Sequence, residues 1–522
     1  MQKLPIGIQS FAKLRNDDYL YVDKTQDIHR LISSGVAYFL SRPRRFGKSL
    51  LVSTIDSIFK GKKELFKGLW IEDNWDWTEQ YPVIYLDFGQ INNDTSVNLQ
   101  TDLEDVLVKI AQQHNITLTR TGAGSFSELI AQLHKVAGQR VVVLIDEYDK
   151  PIVDNLSNLE VAEANRAVLH DFYQVMKAAD EHLRFVFLTG VSKFAKVSVF
   201  SGLNNLRDIT LNAQFATICG YTQAELESCF DSFIEQLAQK EGWTKQKTIE
   251  KIKYWYDGYS WDGENFVYNS FSTLLFFAEL VFKDHWFATG SPTFLVDLIK
   301  ERNDVDLLLK PVEMSGSESD AFNLQEINIK VLLFQTGYLT VKRIDKDPFT
   351  HRPSYILGPP NEEVRQALTA HLLSIYANYP LGSTETMQGQ MMKQLFEGNA
   401  QSFERSLQAL FAHIPYQLWG KDEKYYHSLF LLWLNLLGFK VDAEVSTDKG
   451  RIDAVWTWNE RVVITEIKYA ESGDTEQLLD TALAQIHEKK YAERYAGGDK
   501  RIALLSIAFV GKEIACRMEE LR

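Results

Sequence analysis

Basic charge is scarce in this chain. Its 522 residues carry 56 Lys and Arg against 70 Asp and Glu, a formal net charge of −14. So acidic a surface makes a poor general coat for polyanions, because phosphate contacts need cations. A local basic groove is still allowed, and acidic metal sites would add to the negative count themselves. Cysteine is rarer still. Cys219, Cys229 and Cys516 are the full set, and none stands in C-x-x-C spacing. That excludes a disulfide framework and points to a reducing, cytoplasmic setting. No apolar run is long enough to span a membrane. No window is rich enough in glycine, serine or proline to suggest long disorder. The opening "MQKLPIGIQSF" lacks the apolar core and small-residue cleavage site of a secretory signal. What remains is ordinary globular composition, 45% hydrophobic and 24% charged, with length for several domains.

Against these absences stands a clear alternation. "VAYFL", "YPVIYLDF", "RVVVLIDEY" and "LRFVFLTGVS" read as strands, with helical segments such as "VNLQTDLEDVLVKIAQQH" and "FSELIAQLHKVAG" between them. Strands separated by helices predict parallel βαβ units in a doubly wound sheet. After residue 213 the pattern turns helical. Thr222 with Glu225 makes a capping box, and "WYDGYSWDGENFVYN" reads as an aromatic hairpin. From about residue 420 it changes again, to helix, strand, strand, helix, strand.

Two short stretches carry chemistry in the first region. "RPRRFGKS", residues 42–49, follows the first strand and opens a helix. A helix N-terminus with free N–H groups, a lysine and a hydroxyl is a triphosphate cradle. Gly47 supplies the permissive backbone, Lys48 the cation and Ser49 a ligand for Mg²⁺, while Arg44 and Arg45 add positive charge. The pattern G-x-x-x-x-G-K-[ST] wants glycine at 42, and this chain has Arg42. The second stretch, "VVVLIDEYDKP", is a buried strand ending in Asp146 and Glu147. A carboxylate at such a strand tip holds Mg²⁺, and the following glutamate polarises the attacking water. The next strand ends in Thr189 and Ser192. Thr189 is a candidate γ-phosphate sensor or a strand-end cap, and Lys193, Lys196 and Arg207 are candidates for a charge-neutralising finger between subunits.

The last region carries the second constellation. "GRIDAVWTW" presents Asp453, and "RVVITEIKYA" presents Glu466 and Lys468, which share a face because strand side chains alternate. Two carboxylates at the edge of a hairpin hold Mg²⁺ with positions open for water and phosphate, and the lysine orients the nucleophile. Glu444, on an earlier strand, is placed to join the same ion. His427 and the cluster Trp255, Tyr256, Tyr259 and Trp261 have packing as their default reading. Stacking on unpaired bases is the sharper alternative for the aromatics.

The motifs "LPIGIQSF", "YVDKT", "RPRRFGKSLL", "LIDEYDKP", "FLTGVSKF", "YDGYSWDG" and "LLFQTGYLT" run along nearly the whole chain. Together they resemble the AAA-ATPase-like family of bacterial proteins that carry a C-terminal PD-(D/E)XK nuclease domain. The resemblance implies an α/β fold with four parts. These are a P-loop ATPase domain over 1–212, a helical lid over 213–290, a helical or winged-helix-like middle over 291–419, and a restriction-endonuclease-like α/β domain over 420–522. It implies ATP and Mg²⁺, or Mn²⁺, as cofactors. It also implies a homo-oligomer acting on nucleic acid, DNA before RNA, and no membrane. It carries over Asp453, Glu466 and Lys468 as nuclease residues, with Glu423, Glu444 and Gln485 beside them. Gln485 and Tyr491 depart from the spacing of the exonuclease-like branch. The expected activity is an ATPase coupled to a metal-dependent nuclease in mobile-element or anti-phage biology. The rival is a nucleotide-gated switch or scaffold that binds nucleic acid without cutting it.

Overall fold

The computed structural model describes residues 2–193, 205–286, 311–320, 328–377, 423–439, 441–447, 450–458, 461–495, 501–511 and 513–521, with a few positions between 404 and 408. The chain divides into two compact units, one of residues 1–289 with 313–363, the other of 290–312 with 364–522. No helix among the described residues is long and apolar enough to cross a membrane.

The first unit is built on a parallel sheet of β1 (Ala37–Ser41), β2 (Val83–Asp87), β3 (Val141–Asp146), β4 (Leu183–Gly190) and β5 (Arg207–Asp208) in the order β2-β3-β4-β1-β5. The alternating strands and helices of the sequence therefore form the expected α/β sheet. All six residues of β3 are buried. Such an unbroken apolar run is what a strand covered on both faces requires. Helices Ser96–Gln113, Ala123–Ala137 and Leu159–Ala178 close one face through Leu103, Leu107, Phe126, Leu129 and Phe172. The order matters for chemistry. β4 stands between β3 and β1, so its tip lies between the acidic strand end and the loop that leaves β1.

Residues 213–280 form four helices, Gln223–Cys229, Asp231–Glu241, Lys245–Tyr256 and Ser270–Glu279. The first carries the capping box, with the Thr222 side chain on the Glu225 N–H and the Glu225 carboxylate on the Thr222 N–H. The hairpin expected between the last two closes by antiparallel pairing of Tyr259 with Val267. A small sheet of β6 (Val312–Ser315), β7 (Thr340–Lys346) and β8 (Pro353–Gly358), ordered β6-β8-β7, packs with this unit. Ahead of β1, the lead-in of residues 2–36 holds two short helices to which the sequence pattern assigns no element, Phe11–Asn16 and Thr25–Ser33.

Glu363 closes the unit. It is buried, and its Oε1 accepts the N–H groups of His285 and Trp286, each at 2.8 Å. Burial pushes its carboxyl up to about 7. The folded unit therefore holds this proton more tightly than the unfolded chain, where a glutamate titrates near ~4.3. The group's contribution to stability is full below that value and is lost as pH rises through about 7. Urea unfolding between pH 5 and 7 should show this slope, and Glu363→Gln should flatten it.

The second unit holds a mixed sheet, ordered β13-β12-β11-β10-β9, of β9 (Val441–Thr447), β10 (Gly450–Trp458), β11 (Arg461–Ala470), β12 (Arg501–Val510) and β13 (Glu513–Leu521). β11 and β12 run parallel, joined through the helix Thr475–Glu488, and the other pairs are antiparallel. Of these five strands, β9 enters the sequence reading only as the strand of Glu444, and β13 is missing from it, because "EIACRMEEL" is half polar and reads weakly as an edge strand.

Candidate functional site

β1 ends at Ser41, and residues 42–47 turn before the helix Lys48–Phe59. Gly47 is its N-cap with φ 85°, a left-handed conformation that disfavours any Cβ. Arg45 also has positive φ, 70°. Arg44 and Arg45 are exposed, and the Arg45 guanidinium lies 4.7 Å from the Phe271 ring centre. Lys48 is buried, and its Nζ donates back to the carbonyls of Arg42 and Pro43 at 3.0 and 2.9 Å. Burial lowers its pKa, and the charges of Asp146, Asp149 and Glu147 oppose that shift. Ser49 is half-buried at the mouth of the same helix.

Arg42 explains the missing glycine. Its side chain is buried and points away from the cradle. Nη1 donates to the carbonyls of Ser41 and Thr210, Nη2 to that of Phe215, at 2.8 to 3.1 Å. The guanidinium lies 3.8 Å from the ring centre of Trp261, close enough for a cation–π contact. Phe46, also buried, meets the edges of Tyr259 and Trp261 at 4.7 and 5.4 Å between ring centres. The loop is thus latched to the hairpin by one cation and one ring. Restoring the expected residue, Arg42→Gly, orphans three buried carbonyl contacts and should cost about 3 kcal/mol, read as a lower urea midpoint. Tyr256, Tyr259 and Trp261 are buried, so these three form a packed junction rather than a base-stacking face.

Asp146, at the tip of β3, is buried and accepts the Thr189 hydroxyl from the tip of β4. Glu147 follows with φ 53°, a strained position for a non-glycine residue. Burial and the Asp146 charge raise its pKa. Asp149 is a site residue that the sequence reading passed over. It is buried and takes the N–H of Val191 at 3.1 Å, and the N–H and hydroxyl of Ser192 at 2.7 and 2.6 Å. Its position in "DEYDKP" is the only signal the sequence offers. Gly190 is required beside it, because a Cβ there collides with Tyr148 and Asp149. Lys193 is buried in an ion pair with Asp208 at 3.0 Å, so it is not placed to reach a neighbouring subunit. Arg207 is exposed on β5, and Lys196 lies outside the described residues.

A cavity of about 480 Å³ is lined by Arg44, Arg45, Lys48, Ser49, Glu147 and Asp149, while Asp146 and Thr189 stand outside its lining. Apolar side chains also line it, Leu20 and Val22 ahead of β1, Ile218, and Leu274 of the helix Ser270–Glu279. Cations, carboxylates and apolar groups thus meet in one cavity. That mixture fits a nucleotide, with its charged phosphates and flat apolar base.

In the second unit, β11 delivers Glu466 and Lys468 on one face. Glu466 is only 1% exposed, yet its Oε2 meets no hydrogen-bond partner among the described residues. Its Oε1 is shared by the Lys468 ammonium, at 2.9 Å, and the Gln485 amide from the helix Thr475–Glu488. Burial, then the charge of Asp453, pushes the Glu466 carboxyl up to about 7, against the pull of Lys468. Asp453 on β10 accepts the Ile467 N–H through Oδ2 at 2.8 Å, and His427 bonds the Asp453 carbonyl at 2.9 Å. His427 therefore sits behind the backbone, as a packed residue. Glu423 is exposed at the start of the helix Glu423–Leu436, within electrostatic reach of Glu466. The backbone of Glu444 on β9 lies between Ala443 and Val445, whose partners Ala454 and Ile452 flank Asp453. Tyr491 leaves this group and donates to the Arg451 carbonyl at 2.8 Å. Gln485 is thus brought to the site without its expected tyrosine.

Among the described residues, no three His, Cys, Asp or Glu side chains form a ready metal cluster. The donor set nevertheless suits a hard divalent cation. A buried carboxylate oxygen with no partner among the described residues, beside a second carboxylate, is oxygen-rich and under-neutralised.

A family model described as "Predicted AAA-ATPase" matches residues 5–200, and one described as "PD-(D/E)XK nuclease superfamily" matches 421–519. A protein of Azotobacter chroococcum mcd 1, described as "Uncharacterized protein in vnfD 5'region", is 40% identical over 515 residues, covering 97% of this chain and 96% of its own length. The chain thus belongs to the predicted AAA-ATPase-like family and ends in a domain of the PD-(D/E)XK nuclease superfamily.

Proposed function

We propose that this protein binds and hydrolyses ATP and cleaves a phosphodiester bond with a divalent ion, with DNA as the first candidate substrate. The observation that carries the nuclease half is Glu466, buried with one oxygen tied to Lys468 and Gln485 and the other without a partner among the described residues. Mg²⁺ or Mn²⁺ held there by Glu466 and Asp453, with Glu444 as a third oxygen donor, would neutralise charge on the scissile phosphate and make water acidic enough to ionise. The residues do the rest. Lys468 steadies the Glu466 carboxylate and stands ready to orient the attacking water. Gln485 fixes the same carboxylate from the helix side. The Ile467 N–H holds Asp453 in register with it.

In the first unit, Gly47 and the following N–H groups would cradle the phosphates. Lys48 would exchange the carbonyls of Arg42 and Pro43 for phosphate oxygens, with Arg44 and Arg45 near the same mouth. Ser49 and Asp146 would hold the accompanying Mg²⁺, and Thr189 would orient Asp146. Glu147 would take a proton from the attacking water. ATP would gate cleavage in a homo-oligomeric assembly, with defence or mobile-element biology as its setting.

The rival, an ATP-driven switch without cleavage, draws on the Arg42 and Phe46 latch, which ties the phosphate loop to the helical region. A panel of plasmid, linear, single-stranded and RNA substrates, with and without ATP, decides between them. Cleavage lost in Lys468→Ala supports the nuclease. ATP-dependent assembly with every substrate intact supports the switch.

A further inference from the structure

We propose that the β7–β8 hairpin of the first unit is a nucleic-acid contact, with Phe349 at its tip as a stacking platform for an unpaired base. Phe349 is 91% exposed, against 70% for Val97, the next most exposed large apolar side chain among the described residues. Singly exposed apolar groups are ordinary, but this one sits on a tip built to hold it out. Asp347 Oδ1 accepts the N–H of Phe349 at 3.0 Å, the N–H of Thr350 at 2.6 Å and the Thr350 hydroxyl at 2.9 Å. The turn is closed again by Asp347 N–H to the Arg352 carbonyl at 3.1 Å, and by His351 N–H to the Asp347 carbonyl at 3.0 Å. A tip this well tied loses little entropy on meeting a partner.

Charge names the partner. Arg343 is neutralised by Asp345 at 3.1 Å. Lys346 and Arg352, at the two sides of the turn, are exposed and make no ion pair among the described residues. With the Asp347 carboxylate also at the tip, Lys346 and Arg352 leave one net positive charge beside one bare aromatic ring. That is the combination single strands use, phosphates on the cations and a base on the ring.

The hairpin is also tied to the nucleotide end. The Ser260 N–H donates to Thr340 Oγ1, which donates to the Ser260 carbonyl, both at 2.7 Å. The Val341 N–H reaches the same carbonyl at 3.2 Å. Ser260 lies between Tyr259 and Trp261, the two rings that hold Phe46. A strand caught at the tip therefore pulls on elements that touch the phosphate loop.

The inference rests on the reading that this chain acts on nucleic acid. Its test uses binding without cleavage: anisotropy of a fluorescent single-stranded oligonucleotide with the full chain in EDTA. Phe349→Ala should weaken binding about tenfold, and Phe349→Tyr, which keeps the ring, should restore it. Lys346→Glu with Arg352→Glu should weaken binding and flatten its salt dependence. Unchanged affinity in Phe349→Ala overturns the inference. So does loss of self-association in that variant, by light scattering, with oligonucleotide affinity kept, since the partner is then a second copy of the chain. Cleavage, measured separately with Mg²⁺, shows whether the nuclease reading stands or falls on its own.

Discussion

Lys468→Ala and Asp453→Ala should each lower phosphodiester cleavage by roughly 10²–10³-fold, while ATP binding in the first unit is unchanged. The reason is specific to each. Without Lys468, the Glu466 oxygen it holds at 2.9 Å keeps only the Gln485 amide, and a buried carboxylate loses its main counter-charge. Glu466 then favours its protonated form and becomes a poor cation ligand. Without Asp453, the site loses its second carboxylate and the Ile467 N–H loses its acceptor. A gel assay with Mg²⁺ or Mn²⁺ measures the loss, and isothermal titration with the metal alone separates the cases. Asp453→Ala should abolish metal binding, whereas Lys468→Ala should shift its pH dependence upward. Wild-type cleavage in both variants would remove Glu466 and its neighbours from the chemistry.

Glu147→Gln and Lys48→Ala should part company at the other site. Glu147 lines the cavity and stands next to Asp146 with a raised pKa, so a neutral amide of the same shape should keep ATP binding and slow hydrolysis about 10²–10³-fold. Lys48→Ala removes the cation and leaves the carbonyls of Arg42 and Pro43 without their donor. It should weaken ATP binding itself, read with a fluorescent nucleotide. Equal binding by the two variants would place the lysine outside the phosphate cradle.

Much of this was legible before any coordinates. β1 to β4 are continuous apolar runs, and such runs have few alternatives to a strand covered on both faces. Asp146, Glu466 and Lys468 stand at fixed offsets from those runs, so their place at a sheet edge follows from strand periodicity. Arg42 was not legible in this way. A pattern match registers only that glycine is missing, while the compensation comes from Thr210, Phe215 and Trp261, more than 160 positions along the chain. Asp149 escaped for a related reason. Its partners Val191 and Ser192 lie on another strand end, and only the strand order brings them together. The lead-in resisted because its helices are short, six residues for Phe11–Asn16, and stand on packing rather than on propensity.

The parallel pairing of β11 with β12 has a consequence for how the protein is made. A ribosome delivers residues 1–363, with every segment of the first unit, before it delivers either strand. β11 then waits with one open edge until the helix Thr475–Glu488 has crossed over and β12 has followed. The unit that carries the 42–49 loop is therefore delivered whole before the β11–β12 pair can close.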